Sequence, residues 1–204
     1  MRLFRFAGLI LPSLLALPAL AQEQDLTTGP SAPPSEAMAP GSTSPQATTA
    51  KLLDSLKRER DPDKARSLAS LLLSGWNDSG SATVNLLMQW AAKSVAEKKN
   101  AAALDFLDRV TLLDPDYVEG WNKRATLHYA MGDPRKSMSD IQQVLQREPN
   151  HFAAIAGMAT ILTESGEDEL ALKAWERFLA IYPAERDAQE NMTKLSEKLA
   201  GNRT

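Results

Sequence analysis

The sequence predicts an all-α fold, a solenoid of about three helix–turn–helix repeats. Prolines recur every 34 residues, at Pro115, Pro149 and Pro183. Small and apolar residues recur at the same interval, and within each unit the apolar residues follow the three-and-four spacing of an amphipathic helix. The other columns at this interval are Ala91, Ala125 and Ala159; Ala103, Ser137 and Ala171; Leu107, Ile141 and Trp175; and Val110, Val144 and Phe178. Five columns kept through three copies indicate an internal repeat.

The repeat units are 84–117, 118–151 and 152–185. Gly132 and Gly166 occupy the same position in the second and third units. They predict a tight turn between the paired helices, because glycine tolerates positive φ. The proline column ends the second helix of each unit, since proline cannot continue a helical hydrogen-bond ladder.

The small-residue columns predict where the paired helices approach each other. Ala125 and Ser137 should face one another, because two helices pack closely only where neither side chain is bulky. Trp121 and the column that contains Ile141 fill the space beside that contact. Trp90, Trp121 and Trp175 are therefore interpreted as core residues rather than as a ligand cage.

The pattern resembles the tetratricopeptide repeat (TPR). The family signature matches two sets of residues: Trp121, Ala125, Gly132, Ser137, Ile141, Val144 and Pro149 in the second unit, and Ala159, Gly166, Ala171, Trp175, Phe178 and Pro183 in the third. The first unit departs from the signature, since Lys98 stands where the inter-helix glycine is expected. Residues 50–83 are predicted to form an N-terminal helical cap or degenerate repeat, and residues 186–200 a capping helix, because a solenoid end otherwise exposes its stacking face.

Residues 1–21 read as a secretory signal peptide. Two arginines precede an apolar stretch, and Ala19-Leu20-Ala21 provides small residues at a cleavage site after Ala21. An uncleaved membrane anchor is the alternative. The expected location is periplasmic or secreted. Residues 22–49 are rich in Pro, Ser and Thr and predict a disordered linker; a Pro-rich ligand or a cell-wall-spanning tether is the alternative for this segment.

Composition excludes several functions. The formal net charge is −3, which disfavours nucleic acid as a partner, and there is no cysteine for disulfides, lipid attachment or thiolate metal sites. His128 and His151 are the only histidines and are not in a metal-binding motif. Because no nucleophile or phosphate-loop motif is present, we expect no catalysis, no metal and no cofactor.

Arg124 stands at a packing position that Trp90 and Met158 occupy in the other units. A charge there needs a partner. Asp140 in the facing helix is the preferred partner for a structural ion pair, and Asp108 is the second choice. The alternative is an arginine whose stem packs while its head reaches water.

The resemblance implies that the first helix of each unit lines a concave groove for a peptide or helix. Carried over by column, the predicted groove residues are Met88, Glu119, Asn122, Thr126, Tyr129 and Thr160, with Asn85, Ala92, Ala153, Ala156 and Thr163 beside them. Asn122, Thr126 and Tyr129 form one stripe and are predicted to be the centre of binding; an ordinary solvated face is the alternative. Some family members clamp a terminal carboxylate with Lys and Asn; Lys123 and Asn122 alone do not favour that activity here.

These observations predict a non-enzymatic periplasmic TPR adaptor, or scaffold, that binds a protein or peptide in its concave groove. An envelope component is the expected partner. The first alternative is a structural subunit of a cell-envelope complex, docked by its convex face or capping helix. The second alternative is a small-ligand carrier or an enzyme that uses the groove.

Overall fold

The computed structural model describes residues 45–201, which form nine α-helices and no strand. The helices are α1 (Pro45–Arg58), α2 (Pro62–Trp76), α3 (Ala82–Ala96), α4 (Asn100–Leu113), α5 (Val118–Ala130), α6 (Pro134–Arg147), α7 (Phe152–Glu164), α8 (Asp168–Ile181) and α9 (Arg186–Gly201). The predicted all-α class is confirmed. The helices α3–α4, α5–α6 and α7–α8 are the three predicted hairpins.

The helices begin where the sequence supplies caps. Asp61 accepts hydrogen bonds from the first-turn amides of α2, and Pro62 occupies the first turn, where its missing N–H costs nothing. Ser81 and Asp133 cap α3 and α6 in the same way. At the N-terminus of α7 the cap is the ring of His151, whose Nδ1 accepts the Ala154 N–H at 3.2 Å.

The turns inside the three hairpins share one backbone conformation. Gly132 and Gly166 have φ of 80° and 75°, as the predicted tight turns require. Lys98 has φ of 58° and so adopts the left-handed conformation without being glycine. The first hairpin therefore keeps the turn geometry of the other two and carries the strain of a side chain there.

Every residue of the four small and apolar columns is buried. Ala91, Ala125 and Ala159 are 3%, 2% and 0% exposed, and Ser137 in the second column is 1% exposed. The columns of Leu107 and Val110 are equally buried. Their burial explains the period, because each hairpin closes on the same four positions.

Successive hairpins stack with α4 on α5 and α6 on α7. At the first junction, Gly120 of α5 lies against α4. A Cβ at this position would lie 2.6 Å from Val110 Cγ1, so the close approach of the two helices requires glycine.

The α1–α2 hairpin does not stack in front of the first repeat, as an N-terminal cap would. α1 packs on α2 and on α8, and α2 makes few contacts with α3. Leu56, Leu72 and Trp76 belong to one core with Phe152 of α7 and Tyr182. The expected position of the 50–83 segment is therefore wrong, because its apolar stripe packs on the aromatic residues of the third repeat.

The helix α9 covers the other end of the stack. Ala188 and Leu195 are buried in the core shared with α8, and Lys198 Nζ lies 2.6 Å from Asp168 Oδ2. α9 spans the segment 186–200 in which the sequence predicts a capping helix, and it extends to Gly201.

The predicted signal peptide at 1–21 and most of the predicted linker lie outside the described residues. The linker prediction is wrong over 45–49, because α1 begins at Pro45. None of the helices within 45–201 is long and apolar enough to cross a membrane.

Candidate functional site

A cavity of about 790 Å³ opens between α3 and α5, with the end of α2 as its third wall. Met88, Ala92 and Val95 of α3 line one side, and Thr126 and Ala130 of α5 line the other. The other lining residues are Ser74, Asn77, Asp78, Asn85, Gln89, Ala91, Leu107, Lys123 and Leu127. The cavity is therefore a largely apolar groove across the first two repeats.

One end of the groove is polar. Asn85 Oδ1 accepts hydrogen bonds from the Ser79 N–H at 3.1 Å and the Ser79 hydroxyl at 2.7 Å. Asn85 Nδ2 donates to Asp78 Oδ1 at 3.1 Å. The hydrogen bond from the Gly80 N–H, followed by that from Asn85, holds the pKa of Asp78 below its ordinary value. This end therefore presents an ionised, solvent-accessible carboxylate.

Lys123 provides a positive charge on the α5 side. Its Nζ lies 2.8 Å from Glu119 Oε1, and its side chain is 52% exposed while that of Glu119 is 3% exposed. The ammonium is thus held by a buried carboxylate and remains accessible from the groove.

Glu119 and Asn122 do not line the groove as predicted. They are 2% and 7% exposed, and Asn122 Nδ2 donates to Glu119 Oε2 at 2.9 Å. His151, which is fully buried, brings its Nε2 to 3.2 Å from the same oxygen. Because His151 Nδ1 accepts the Ala154 N–H, Nε2 carries the ring proton, and this N–H donates a hydrogen bond to Glu119 Oε2.

This buried cluster fixes the charge of Glu119. Burial raises the pKa of the carboxyl, but the hydrogen bond from His151 and the charge of Lys123 outweigh burial and hold it below its ordinary value. Trp76 of α2 stacks on the His151 ring, with centroids 4.3 Å apart. The cluster therefore joins the second and third repeats to the α1–α2 hairpin.

A second bond ties the end of α2 to the first repeat. The Tyr117 hydroxyl donates to the Asn77 carbonyl oxygen at 2.9 Å, and burial, followed by the charge of Glu119, raises the pKa of that phenol. Together with the stack of Trp76 on His151, this bond holds α2 as the third wall of the groove.

The structure brings together only some of the predicted groove residues. Met88 and Thr126 line the cavity, as do the neighbouring Asn85 and Ala92. Tyr129 is 36% exposed and donates its hydroxyl to Glu164 Oε1 at 2.5 Å. The Thr160 hydroxyl donates to the Ala156 carbonyl of its own helix at 3.0 Å.

The groove does not continue openly over the third repeat. Ala153 and Ala156, predicted on the groove side of α7, are partly buried against the core that contains Leu72 and Trp76. The arrangement also forms no carboxylate clamp around Asn122, whose amide already bonds Glu119. The accessible groove is confined to the first two repeats.

Arg124 and Asp140 form the pair that the sequence predicted. The guanidinium donates Nε–H and Nη2–H to the Asp140 oxygens at 2.9 and 2.7 Å. Its Nη1 also reaches Asp108 at 2.8 Å and the Thr111 hydroxyl at 3.1 Å. The bond to Asp140 is the largest cause of a raised Arg124 pKa. Arg124 thereby joins α4, α5 and α6.

Three tryptophans differ in their surroundings. Trp175 is buried, at 7% exposure, as predicted for a core residue. Trp90 is 45% exposed, so its prediction as a core residue is wrong. Trp76 at the end of α2 is 8% exposed and is a core residue. Repeat spacing could not find Trp76, because it lies outside the repeats.

The α2 side of the groove is formed by Ser74, Asn77 and Asp78, which are not among the predicted groove residues. No local pattern indicates that the end of α2 lies against α3 and α5. Val95 and Ala130 were also missed, although each lies one turn beyond a predicted groove position and a longer stripe would have included them. Among residues 45–201, no group of three His, Asp or Glu side chains is placed to hold a metal ion.

The comparisons with known proteins agree with this architecture. No family model matches the chain. A TPR repeat-containing protein of Rhizobium etli is 54% identical over 209 residues, which cover 100% of this chain and 98% of that protein. The chain belongs to the TPR repeat-containing proteins.

Solved structures share the fold at low sequence identity. The first TPR domain of Spaghetti (RPAP3), bound to the HSP90 peptide SRMEEVD, matches with a TM-score of 0.56 and 21% identity, over 59% of this chain and 95% of that one. The MamA protein matches with a TM-score of 0.52 and 16% identity, over 75% of this chain and 81% of that one. Both are TPR-type solenoids in fold, the architecture of protein-interaction scaffolds.

Proposed function

We propose that this chain is a non-enzymatic TPR adaptor that binds a segment of another protein in the groove across its first two repeats. The open cavity of about 790 Å³ between α3 and α5 is the observation that supports this proposal most directly. Peptide binding by the RPAP3 domain is a property of that protein. It supports the class of partner proposed here and not its identity.

The lining of the groove suits an extended peptide. Met88, Ala92, Val95 and Ala130 form an apolar surface on which one or two apolar side chains can be buried. Lys123 and Asp78 place opposite charges on the lining, where each can pair with a charged group of the peptide. The proposed partner segment is therefore an extended strand that carries apolar side chains and charged groups of both signs.

This proposal moves the binding centre from where the sequence placed it. Asn122 is buried against Glu119 and cannot reach a peptide without breaking that bond. Thr126 stays in the site, and the first repeat contributes more than expected through Met88 and Ala92.

Ala92→Arg tests the groove directly. Ala92 is exposed, so the arginine fills the cavity without disturbing the core. A photo-crosslinking amino acid at Met88 should capture one partner from envelope extract, and Ala92→Arg should abolish that capture. Ala101→Arg is the matched control, because Ala101 is exposed on α4 and does not line the cavity.

Capture that survives Ala92→Arg would contradict binding in the groove. Capture that is lost instead on Lys194→Glu, in α9, would favour the alternative of a complex subunit docked through its capping helix. Activity of the purified chain towards a small molecule that copurifies with it would favour the carrier or enzyme alternative.

We also propose that the adaptor works outside the cytoplasm. The support is the arginine-led apolar stretch that ends at Ala19-Leu20-Ala21. Intact-mass measurement of the exported protein should give a chain that begins at Gln22. A mass that retains residues 1–21 would contradict cleavage and favour the membrane-anchored alternative.

A further inference from the structure

The first repeat exposes the face on which the other two repeats are stacked. In the second repeat this face is identified by its contacts. Arg124 bonds Asp108 and Thr111 of the preceding helix α4, and Gly120 lies against Val110 of the same helix. In the first and third repeats, the residues 34 positions before or after these lie on the corresponding face of α3 or α7.

Exposure separates the first repeat from the others at this register. Gly120, Leu127, Ala154 and Ile161 are buried. Their counterparts in the first repeat are exposed: Leu86 is 42% exposed and the Lys93 side chain 75% exposed. Trp90, the counterpart of Arg124, is 45% exposed. A helix-docking face therefore lies open on α3.

If the repeat pattern continued before the first repeat, residues of α2 and the turn after it would cover this face. In the structure they lie in another place. Counterparts of Asp108 and Thr111 would be Ser74 and Asn77, and both line the groove instead. The α1–α2 hairpin that contains Ser74 packs on the third repeat. The opposite end of the stack is already covered by α9, so a further copy has no matching open end on which to continue the solenoid.

The open face of α3 contains an aromatic pair beside a depression. Trp90 and Phe106 pack with ring centroids 5.6 Å apart, at the positions that Arg124 and Asp140 hold in the second repeat. Beside them is a depression of about 370 Å³, lined also by Lys93, Glu97 and Lys99. An apolar centre flanked by both signs of charge suits a protein helix.

The centre of the stripe Leu86, Trp90, Lys93 and Glu97 complements itself. Its spacing of four, three and four residues is the seam spacing of paired helices. About a two-fold axis between residues 91 and 92, an antiparallel copy places Trp90 opposite Lys93 and Leu86 opposite Glu97. A lysine ammonium over an indole face is attractive, and the lysine stem covers the ring.

We propose that this face is a dimer interface, on which α3 of one copy packs antiparallel against α3 of a second copy. The open face and the self-complementary stripe select a closed two-fold pair, which leaves neither copy with an uncovered stacking face. The groove between α3 and α5 lies on another side of α3 and stays accessible in the pair.

Analytical ultracentrifugation of the purified exported protein over a concentration series tests the proposal. The chain should sediment as a dimer. Trp90→Lys and Leu86→Lys should each weaken the dimer by about 30-fold or more, as loss of a central interface side chain does. Leu170→Lys, at an exposed leucine of α8, should leave the dissociation constant unchanged. Circular dichroism checks that each variant is folded.

Variants of Lys93 distinguish this specific pairing from non-specific hydrophobic association. Lys93→Arg should keep the dissociation constant within about threefold, because the cation stays over the ring, whereas Lys93→Glu should raise it about tenfold. Since the chain has no cysteine, the antiparallel register can be tested as well. A mixture of Leu86→Cys and Glu97→Cys chains should form the mixed disulfide in preference to either homodimer.

A monomer at every concentration would overturn the proposal, whether residues 22–44 or another protein then cover the face. A dimer that Trp90→Lys and Leu86→Lys both leave intact would overturn it too. Equal yields of mixed and unmixed disulfides would reject the antiparallel register. Because Ala92→Arg blocks the groove and not this face, that variant should still dimerise.

Discussion

The first and third repeats have the same periodic core and opposite surroundings. In the third repeat, α7 and α8 are covered by the α1–α2 hairpin and by α9, and the aromatic rings of Trp76, Phe152 and Tyr182 fill the junction. In the first repeat, α3 keeps an open groove on one side and an exposed Trp90 on another. Two helical segments outside the repeats therefore decide which repeat is covered and which keeps an open surface.

The difference shows how non-repeating segments divide a solenoid into a covered end and an open end. Consecutive hairpins can only present the same face again, because each is built from the same columns. Trp76 and His151 break that equivalence by placing α2 against the second and third repeats. The open groove of the first two repeats and the closed third repeat are two consequences of one docking event.

The largest expected effect comes from the covered end. Trp76→Ala removes the ring stacked on His151 and packed near Phe152, so we expect a loss of about 3–5 kcal/mol in the free energy of unfolding. Trp90→Ala makes the same chemical change at an exposed position and should cost less than half as much at low protein concentration. Urea unfolding of both variants decides this. Equal losses would contradict the distinction between the two ends.

Glu119 tests the buried junction between them. Glu119→Gln weakens the bonds to His151 and Lys123, so we expect a loss of about 1–3 kcal/mol in the free energy of unfolding near neutral pH. The control is Glu190→Gln, an exposed carboxylate paired with Lys194, which should cost almost nothing.

The same carboxylate predicts a pH dependence. The pKa of Glu119 in the folded chain lies below its ordinary value of 4.5, so its stabilising contribution is present above that pH and is lost as the pH falls through the folded pKa. Unfolding curves between neutral pH and acid should therefore converge for wild type and Glu119→Gln below that ordinary value. A constant difference at all pH values would show that folding does not shift the pKa of Glu119.

A smaller effect tests the register shared by all three repeats. Ala125→Leu should cost about 1–3 kcal/mol in unfolding free energy, because the added atoms enter the closed face between α5 and α6. Ala92→Leu lies one residue past the same column, in the open groove, and should be nearly neutral. If urea midpoints show Ala125→Leu to be neutral, its predicted contact with Ser137 is wrong.

The smallest effect concerns the turn of the first repeat. Lys98→Gly should stabilise the chain by about 1 kcal/mol, because glycine adopts the φ of 58° without the cost borne by a side chain. Gly132→Ala, at the same turn of the second repeat, should destabilise by a similar amount. Thermal melts of the two variants should shift in opposite directions; shifts in the same direction would show that the turn conformation is not what limits this position.

The sequence predicted the hairpins because their determinants are local and periodic. The four small and apolar columns fall on the buried faces without exception, and Asp61, Ser81 and Asp133 cap helices as their chemistry predicts. The Arg124–Asp140 pair could be predicted for the same reason. A charge in a packing column needs an acid on the facing helix, and the repeat register identifies that helix.

The groove could be predicted only in part. A position in the repeat indicates which face of the helix a side chain lies on, but it does not indicate whether another segment of the chain packs over that face. Met88 and Thr126 face the cavity as expected. Asn122 and Glu119 point towards the same side but are buried against His151, which stacks on Trp76. The contact between Trp76 and His151 joins residues 75 positions apart, and no local spacing encodes it.

By itself the sequence determined the all-α class, the three repeats, their turns and the residues that close each hairpin, because helix period and small-residue columns are short-range properties. Only the tertiary structure decided that α1 and α2 pack on the third repeat rather than before the first. Both positions offer an apolar face to the stripe of α2. The stack of Trp76 on His151 and the Tyr117–Asn77 hydrogen bond form only at the position found. A choice between two docking sites depends on contacts between distant segments, which become visible only when the chain is folded.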